Sequence, residues 1–174
     1  MVMNTTTNIS TQHIWSILED VTDPEVPVLS VVDLGVIRDI KLFSSSTGED
    51  GIEVVITPTY SGCPAMDVIR MNIRMALLQH GFRNVQITTV LSPAWTTDWM
   101  SEAGKQKLKV YGIAPPNPKQ QVCNTQLFAE EEAIQCPHCN SYNTRRISEF
   151  GSTACKALYQ CNDCHEPFDY FKCH

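Results

Sequence analysis

No stretch of the sequence approaches the roughly 18 consecutive apolar residues that a membrane span needs. The opening MVMNTTTNIS lacks both the basic n-region and the apolar core of a signal peptide, so secretion is not expected and the cytoplasm is the expected compartment. Positive charge is scarce: 13 Lys and Arg stand against 19 Asp and Glu, a net charge of −6. Residues 134–174 carry four charges of each sign, which leaves the whole deficit on the rest of the chain. Neither part has the basic surplus that phosphate contacts demand, so nucleic acid is not an expected partner, and no membrane association is expected either. Internal repeats and long low-complexity segments are also missing.

What is present is an ordinary folding composition, 174 residues with 43% hydrophobic and 18% charged, enough for one medium or two small domains. Residues 1–10 have little to bury and read as a disordered tail. His13, Ile14, Ile17, Leu18 and Val21 recur at helical spacing, and Pro24 and Pro27 end that helix. Segments 36–42 and 52–56 read as strands, with the polar stretch from Ser44 to Gly51 as their hairpin loop. A second helix is expected after Cys63, with Cys63 near its N-cap, Pro64 at its first position, a core stripe of Met66, Ile69, Ile73, Ala76 and Leu77, and Gly81 at its end. A third strand over 85–91, the loop Ser92 to Trp95 and a short amphipathic helix ending near Gly112 complete an αββαβα order, an α/β fold. Pro115, Pro116 and Pro118 mark a boundary. The expected division is therefore a compact domain over 11–114, a Pro-rich and acidic linker over 115–133 and a small β domain over 134–174. The tether is expected to let the two folded parts form separately.

Eight cysteines are the unusual feature, and six of them fall between Cys136 and Cys173. In a reducing compartment such clustering points to metal rather than to disulfides. Cys136-Pro137-His138-Cys139 and Cys161-Asn162-Asp163-Cys164 are two C-x2-C knuckles separated by 21 residues. Two β-hairpins at that spacing bring four thiolates around one tetrahedral ion, which predicts a structural Zn²⁺ ribbon ligated by Cys136, Cys139, Cys161 and Cys164. Asn140 is placed to take the left-handed conformation in the first knuckle. The same four-sulfur geometry would also hold one iron, or a cluster, so the motif specifies zinc less firmly than it specifies a metal. The nearby Cys155, Cys173, His138, His165 and His174 read as small buried thiols and surface histidines in preference to a second metal site.

Cys63 follows a strand and Gly62 and opens a helix, where unpaired N–H groups and the helix dipole favour the thiolate. Gly62 is expected to turn the backbone sharply and expose the sulfur. An inert capping cysteine is the competing reading, and no histidine with an orienting role accompanies it, which disfavours a thiol enzyme. Asp23-Pro24-Glu25 by itself reads as a helix stop. Trp95 and Trp99 fit either a cover for the sheet edge or an aromatic docking surface.

Together Asp23-Pro24-Glu25, Asp33-Leu34-Gly35, Thr57-Pro58-Thr59 and Cys63-Pro64 resemble the signature of the metal–sulfur cluster assembly domain of SufT-type iron–sulfur maturation proteins, over about residues 11–112. The stretches SPAWTTDWMSEAGKQKLKVYGIAPP and EFGSTACKALYQC, then EPFDYFKCH, narrow the resemblance to the PaaD (PaaJ) family, accessory subunits of the phenylacetyl-CoA epoxidase system, over nearly the whole chain. The resemblance implies a non-catalytic accessory protein in phenylacetate catabolism with no catalytic residue of its own. It would assist assembly or repair of the metal centres of a multicomponent di-iron oxygenase and of its reductase, which carries FAD and a 2Fe–2S centre. Its partners would be the oxygenase and reductase components, with a homodimer also allowed. Carried over by residue, Cys63 would be the ligand of a transient iron or iron–sulfur cluster, Asp23 and Glu25 would shape its pocket, and Thr57 and Thr59 would hold the loop. The competing reading is a structural or regulatory docking subunit that never handles iron.

Overall fold

The computed structural model describes residues 10–44, 50–116 and 134–172. The expected loop tip, most of the linker, Cys123, Cys173 and His174 lie outside the described residues. Helix α1 (Thr11–Glu19) starts where the Ser10 hydroxyl accepts a hydrogen bond from the Gln12 N–H, and it buries Ile14, Ile17 and Leu18. Strands β1 (Ile37–Ser44) and β2 (Asp50–Ile56) pair antiparallel. Helix α2 (Ala65–Gln79) then returns the chain so that β3 (Val85–Thr89) runs parallel to β2, giving the sheet order β1-β2-β3. The central β2 is buried on both faces for most of its length, while α2 contributes Met66, Ile69, Ile73 and Leu77 to the core. After a single 3₁₀ turn at Thr97–Trp99, helix α3 (Glu102–Tyr111) ends this part, the αββαβα order read from the apolar pattern.

The loop between α1 and β1 is held by side-chain hydrogen bonds that replace regular pairing. Asp33 and Ser30 cap each other: Asp33 Oδ2 accepts from the Ser30 N–H at 3.3 Å and Ser30 Oγ accepts from the Asp33 N–H at 2.9 Å. Asp33 also accepts from Ser101 Oγ at 2.7 Å and from the Lys107 ammonium, which ties the loop to the start of α3. Burial works against the Asp33 charge, but the hydrogen bonds from Lys107, Ser101 and Ser30 outweigh it and hold the carboxyl below its ordinary range. Gly35 has φ +71°, and a Cβ there would stand 2.2 Å from the Trp99 carbonyl oxygen, so the backbone approach leaves room for glycine alone. Trp95 is buried and donates through Nε1 to the Leu34 carbonyl at 3.0 Å. Trp99 lies under the Arg38 guanidinium, 3.4 Å from its ring centroid. Both tryptophans are thus engaged within the fold.

The second sheet has the order β4-β7-β6-β5, built from β4 (Ile113–Ala114), β5 (Thr144–Ser148), β6 (Lys156–Cys161) and β7 (Pro167–Phe171). β4 directly follows α3 yet pairs in parallel with β7, Ile113 opposite Asp169 and Ala114 opposite Tyr170. Phe171 and Cys155 belong to the same apolar cluster as the α1–α3 core, and the Phe171 ring meets Trp95 edge-on at 6.2 Å. The two parts therefore share a core instead of standing apart on a tether, because β7 ends in an aromatic that packs in the first part's cluster.

Truncation of Phe171, which is 1% exposed, opens a cavity at that seam. Phe171→Ala should cost about 3–5 kcal/mol and shift a single cooperative unfolding transition. Denaturant unfolding followed by both tryptophan fluorescence and far-UV circular dichroism checks this. Two separated transitions, with the first part unmoved, would contradict the shared core.

Candidate metal and thiol sites

Two groups of sulfurs stand out, and they differ in what surrounds them. In the second sheet the Sγ atoms of Cys136, Cys139, Cys161 and Cys164 all lie within 4.8 Å of one another. Cys136 and Cys164 are 3.8 Å apart, and Cys139 and Cys161 are 3.5 Å apart. Four Zn–S bonds of about 2.3 Å at tetrahedral angles place sulfurs about 3.8 Å apart, so the donor set and spacing fit zinc. Each knuckle turns on a left-handed residue just after its second cysteine: Asn140 with φ 61° as expected, and His165 with φ 63°, which the sequence did not signal. The N–H of Cys164, and more weakly that of Asp163, outweighs burial and draws the Cys161 thiol down to about 7, while the thiols of Cys139 and Cys164 beside it are raised. Asp163 accepts from Ser141 Oγ and from Asn143 Nδ2 (2.7 Å), locking one knuckle to the other. His138 and His165 are outside the four-donor group.

Cys63 sits at the end of the loop that leaves β2. The Thr57 N–H donates to the Val36 carbonyl at 2.9 Å, and the Cys63 N–H closes a turn onto the Tyr60 carbonyl at 3.2 Å. Pro64 is the N-cap and α2 begins at Ala65, one residue later than expected, since the proline ring fits the turn with φ −67° but offers no capping side chain. Gly62 does not have the positive φ that a sharp glycine turn needs, and a Cβ there would meet nothing within 4 Å. Its contribution is a bare approach to the loop tip.

Around the Cys63 sulfur, Thr59 and Tyr60 form side-chain hydrogen bonds, and the charges of Glu25 and Asp23 act from the loop after α1. Burial, aided by those carboxylates, raises the Cys63 thiol above its ordinary range despite the Ala65 N–H. Helix-end electrostatics alone point the other way; the buried, anionic surroundings win. Burial and the nearby Cys63 push Tyr60 up to about 12. Asp23 is buried and its Oδ1 accepts from the N–H groups of both Glu25 and Val26 at 2.8 Å, so it builds the turn that presents Glu25. Burial raises the Asp23 carboxyl, with those N–H groups and Lys156 opposing. Thr57 Oγ1 is buried without a hydrogen-bond partner, and Thr57 lines, with Thr59, Tyr60 and Trp95, a cavity of about 310 Å³.

Sequence reasoning missed Tyr60, Cys155 and Lys156 as neighbours of this site. Cys155 Sγ is 3.7 Å from Glu25 Oε2, and Lys156 Nζ is 3.5 Å from the Glu25 carbonyl. The signal was that two cysteines of the tail, Cys155 and Cys173, were left over once the four ribbon ligands were counted.

Two expectations follow. Loss of two ligands in the double variant Cys136→Ser/Cys164→Ser should remove one zinc per chain and melt β5–β7, and through Phe171 it should also lower the unfolding midpoint of the first part. Metal analysis with circular dichroism reads this; an unchanged zinc content would exclude the assignment. For Cys63, whose raised pKa keeps it a neutral thiol at pH 7, alkylation should accelerate only above the ordinary thiol range. Glu25→Gln removes a negative charge that opposes the thiolate, so the inflection should move to lower pH. Mass-spectrometric rates across pH measure that shift, and an upward shift would be the wrong sign.

Comparison with known proteins places these sites in context. The chain matches the family described as "Iron-sulfur cluster assembly protein" over residues 11–88 and the "PaaD zinc beta ribbon domain" over residues 120–172. It is 49% identical over 161 residues, 92% of each chain, to an Escherichia coli (strain K12) protein provisionally named as a subunit of 1,2-phenylacetyl-CoA epoxidase. A Porphyromonas gingivalis protein named Fe-S protein maturation auxiliary factor is 36% identical over 56% of this chain and 89% of its own. A Bacillus anthracis structure titled as a domain of unknown function, DUF59, superposes with a TM-score of 0.50 at 24% identity, covering 57% of this chain and 91% of its own, a likeness of fold. With an iron–sulfur cluster assembly domain continued by a four-cysteine ribbon, the chain belongs to the PaaD family of phenylacetyl-CoA epoxidase proteins.

Proposed function

We propose that this chain is a non-catalytic maturation factor that carries iron, alone or as a cluster, to the metal centres of a multicomponent phenylacetyl-CoA epoxidase in the cytoplasm. Cys63 is the cargo residue. The carrying observation is its setting: a half-buried thiol at a bare loop tip, hydrogen-bonded by Thr59, with the charges of Glu25 and Asp23 acting on it. A thiol nucleophile needs a base to take its proton, whereas a metal cation displaces that proton itself. Carboxylates that disfavour a bare thiolate become favourable once a cation arrives, so this site is anionic in the way a cation site requires. Thr57 and Thr59 hold the loop, and Asp23 shapes the turn that presents Glu25. The ribbon's zinc is structural, since four sulfurs close its coordination sphere and leave no position for exchange. Residues 115–133 serve as the linker between the two domains.

The names of the relatives support this reading: one is named as part of the epoxidase and another as a maturation factor. A second reading, a docking subunit that never touches iron, is favoured by one surface. Val68, Met71, Met75 and Leu78 form an exposed apolar stripe along α2, each at least 40% exposed, suited to a protein partner. The two readings separate on Cys63→Ser. Co-produced with the oxygenase and reductase at limiting iron, this variant should keep its zinc and fold yet lower the iron content and activity of the matured enzyme several-fold. Full maturation by Cys63→Ser would reject iron carriage and leave docking.

A further inference from the structure

We propose that the outward face of α2 docks an amphipathic, acid-flanked helix of one epoxidase component. Val68, Met71, Met75 and Leu78 grip that helix, and Arg70 and Arg74 meet its acids. This deepens the proposed function and rests on its premise that the chain serves that enzyme.

Helix α2 is apolar on two faces. Met66, Ile69, Ile73 and Leu77 are buried in the core. Val68, Met71, Met75 and Leu78 recur at intervals of three, four and three residues and are 40–55% exposed. At 3.6 residues per turn these four fall within about 80° of arc, nearly opposite the core stripe. One stripe seats the helix in the core; the other faces solvent. The three-four-three spacing is the narrow seam of a coiled coil, so its complement is a helix with the same seam. Two of the four residues are methionines, unbranched and polarizable, which repack readily around a partner's side chains.

The rims of the seam decide the partner's charge. Arg70 and Arg74 are exposed on one flank, while Asn72 and Gln79 occupy the other. Asp67 reaches Arg70 at 3.8 Å in an exposed pair, which is worth little. Among the described residues Arg74 makes no ion pair. The basic rim therefore calls for acids on the facing flank of the incoming helix. A second copy of α2 does not supply them. Packed antiparallel, it sets Arg70 of one copy against Arg74 of the other; packed parallel, it sets both against Asn72 and Gln79. Cys63 and Pro64 lead into this same helix, so docking on its first turns brings a partner to the end that carries the thiol.

Zinc-loaded full-length protein and the separately purified oxygenase and reductase components provide the test, by biolayer interferometry across salt concentrations. One component should bind, with association slowing as salt rises. Arg70→Glu/Arg74→Glu should slow association about tenfold and flatten that salt dependence. Met71→Asp/Met75→Asp should weaken binding about a hundredfold with zinc content and circular dichroism unchanged. Cys63→Ser should bind like the wild type, which separates docking from iron carriage. Hydroxyl-radical footprinting of the wild-type complex needs no variant and should show oxidation of Met71 and Met75 suppressed. Undiminished binding by the methionine variant, with both methionines still oxidised in the complex, would overturn the α2 site and leave the epoxidase reading standing. Unchanged or faster association of the arginine variant would overturn the acid-flanked partner. A wild-type dimer in sedimentation that the methionine variant dissociates would assign the face to a second copy instead. Absence of binding to either component would overturn the proposal together with the premise it rests on.

Discussion

Phe171 against Trp95 is the contact on which the arrangement of this molecule depends. The ribbon's own cluster is already filled by the rings of Phe168 and Tyr170 with Ala114, Ala157 and two of the clustered cysteines, and Phe171 packs outside it. The ring is therefore covered by the first part, whose Trp95 is fixed from behind by its hydrogen bond to Leu34. Leu34 is in turn held by the Asp33 and Gly35 network that anchors α3. One aromatic contact thus links zinc-dependent folding at one end to the loop geometry of the thiol site at the other.

That linkage gives the zinc a role beyond the ribbon. A segment of some 40 residues has too little core to fold unaided, so metal binding supplies much of its folding free energy. Because Cys155 and Lys156, just before and at the start of β6, lie beside Glu25, the same free energy also sets the surroundings of that residue. The four ribbon sulfurs form a complete tetrahedral donor set, and Cys63 stands outside it.

The elements themselves were legible in the sequence. Ile14, Ile17 and Leu18, then Met66, Ile69, Ile73 and Leu77, repeat at helical spacing because those faces are buried, and Gly81 and Gly112 end their helices with positive φ. The knuckles were legible because metal ligation fixes a short spacing. Less could be read where the cause is non-local. The two residues of β4 have no periodicity of their own and are a strand only because β7 lies beside them. The thiolate expected at Cys63 failed since a helix-end argument sees Ala65 but not the burial and carboxylates brought by another loop. Cys155 lies 130 residues from Glu25, a separation at which no local pattern survives.

The short β4 strand also decides what a cut in the chain would do. Ala114 pairs with Tyr170 in β7, and Ile134 packs in the same small cluster, so the last described residues before the connecting segment and the first after it share one core. The covalent connection between them is then redundant for holding the halves together: proteolytic nicking there would give two fragments that stay associated and co-purify.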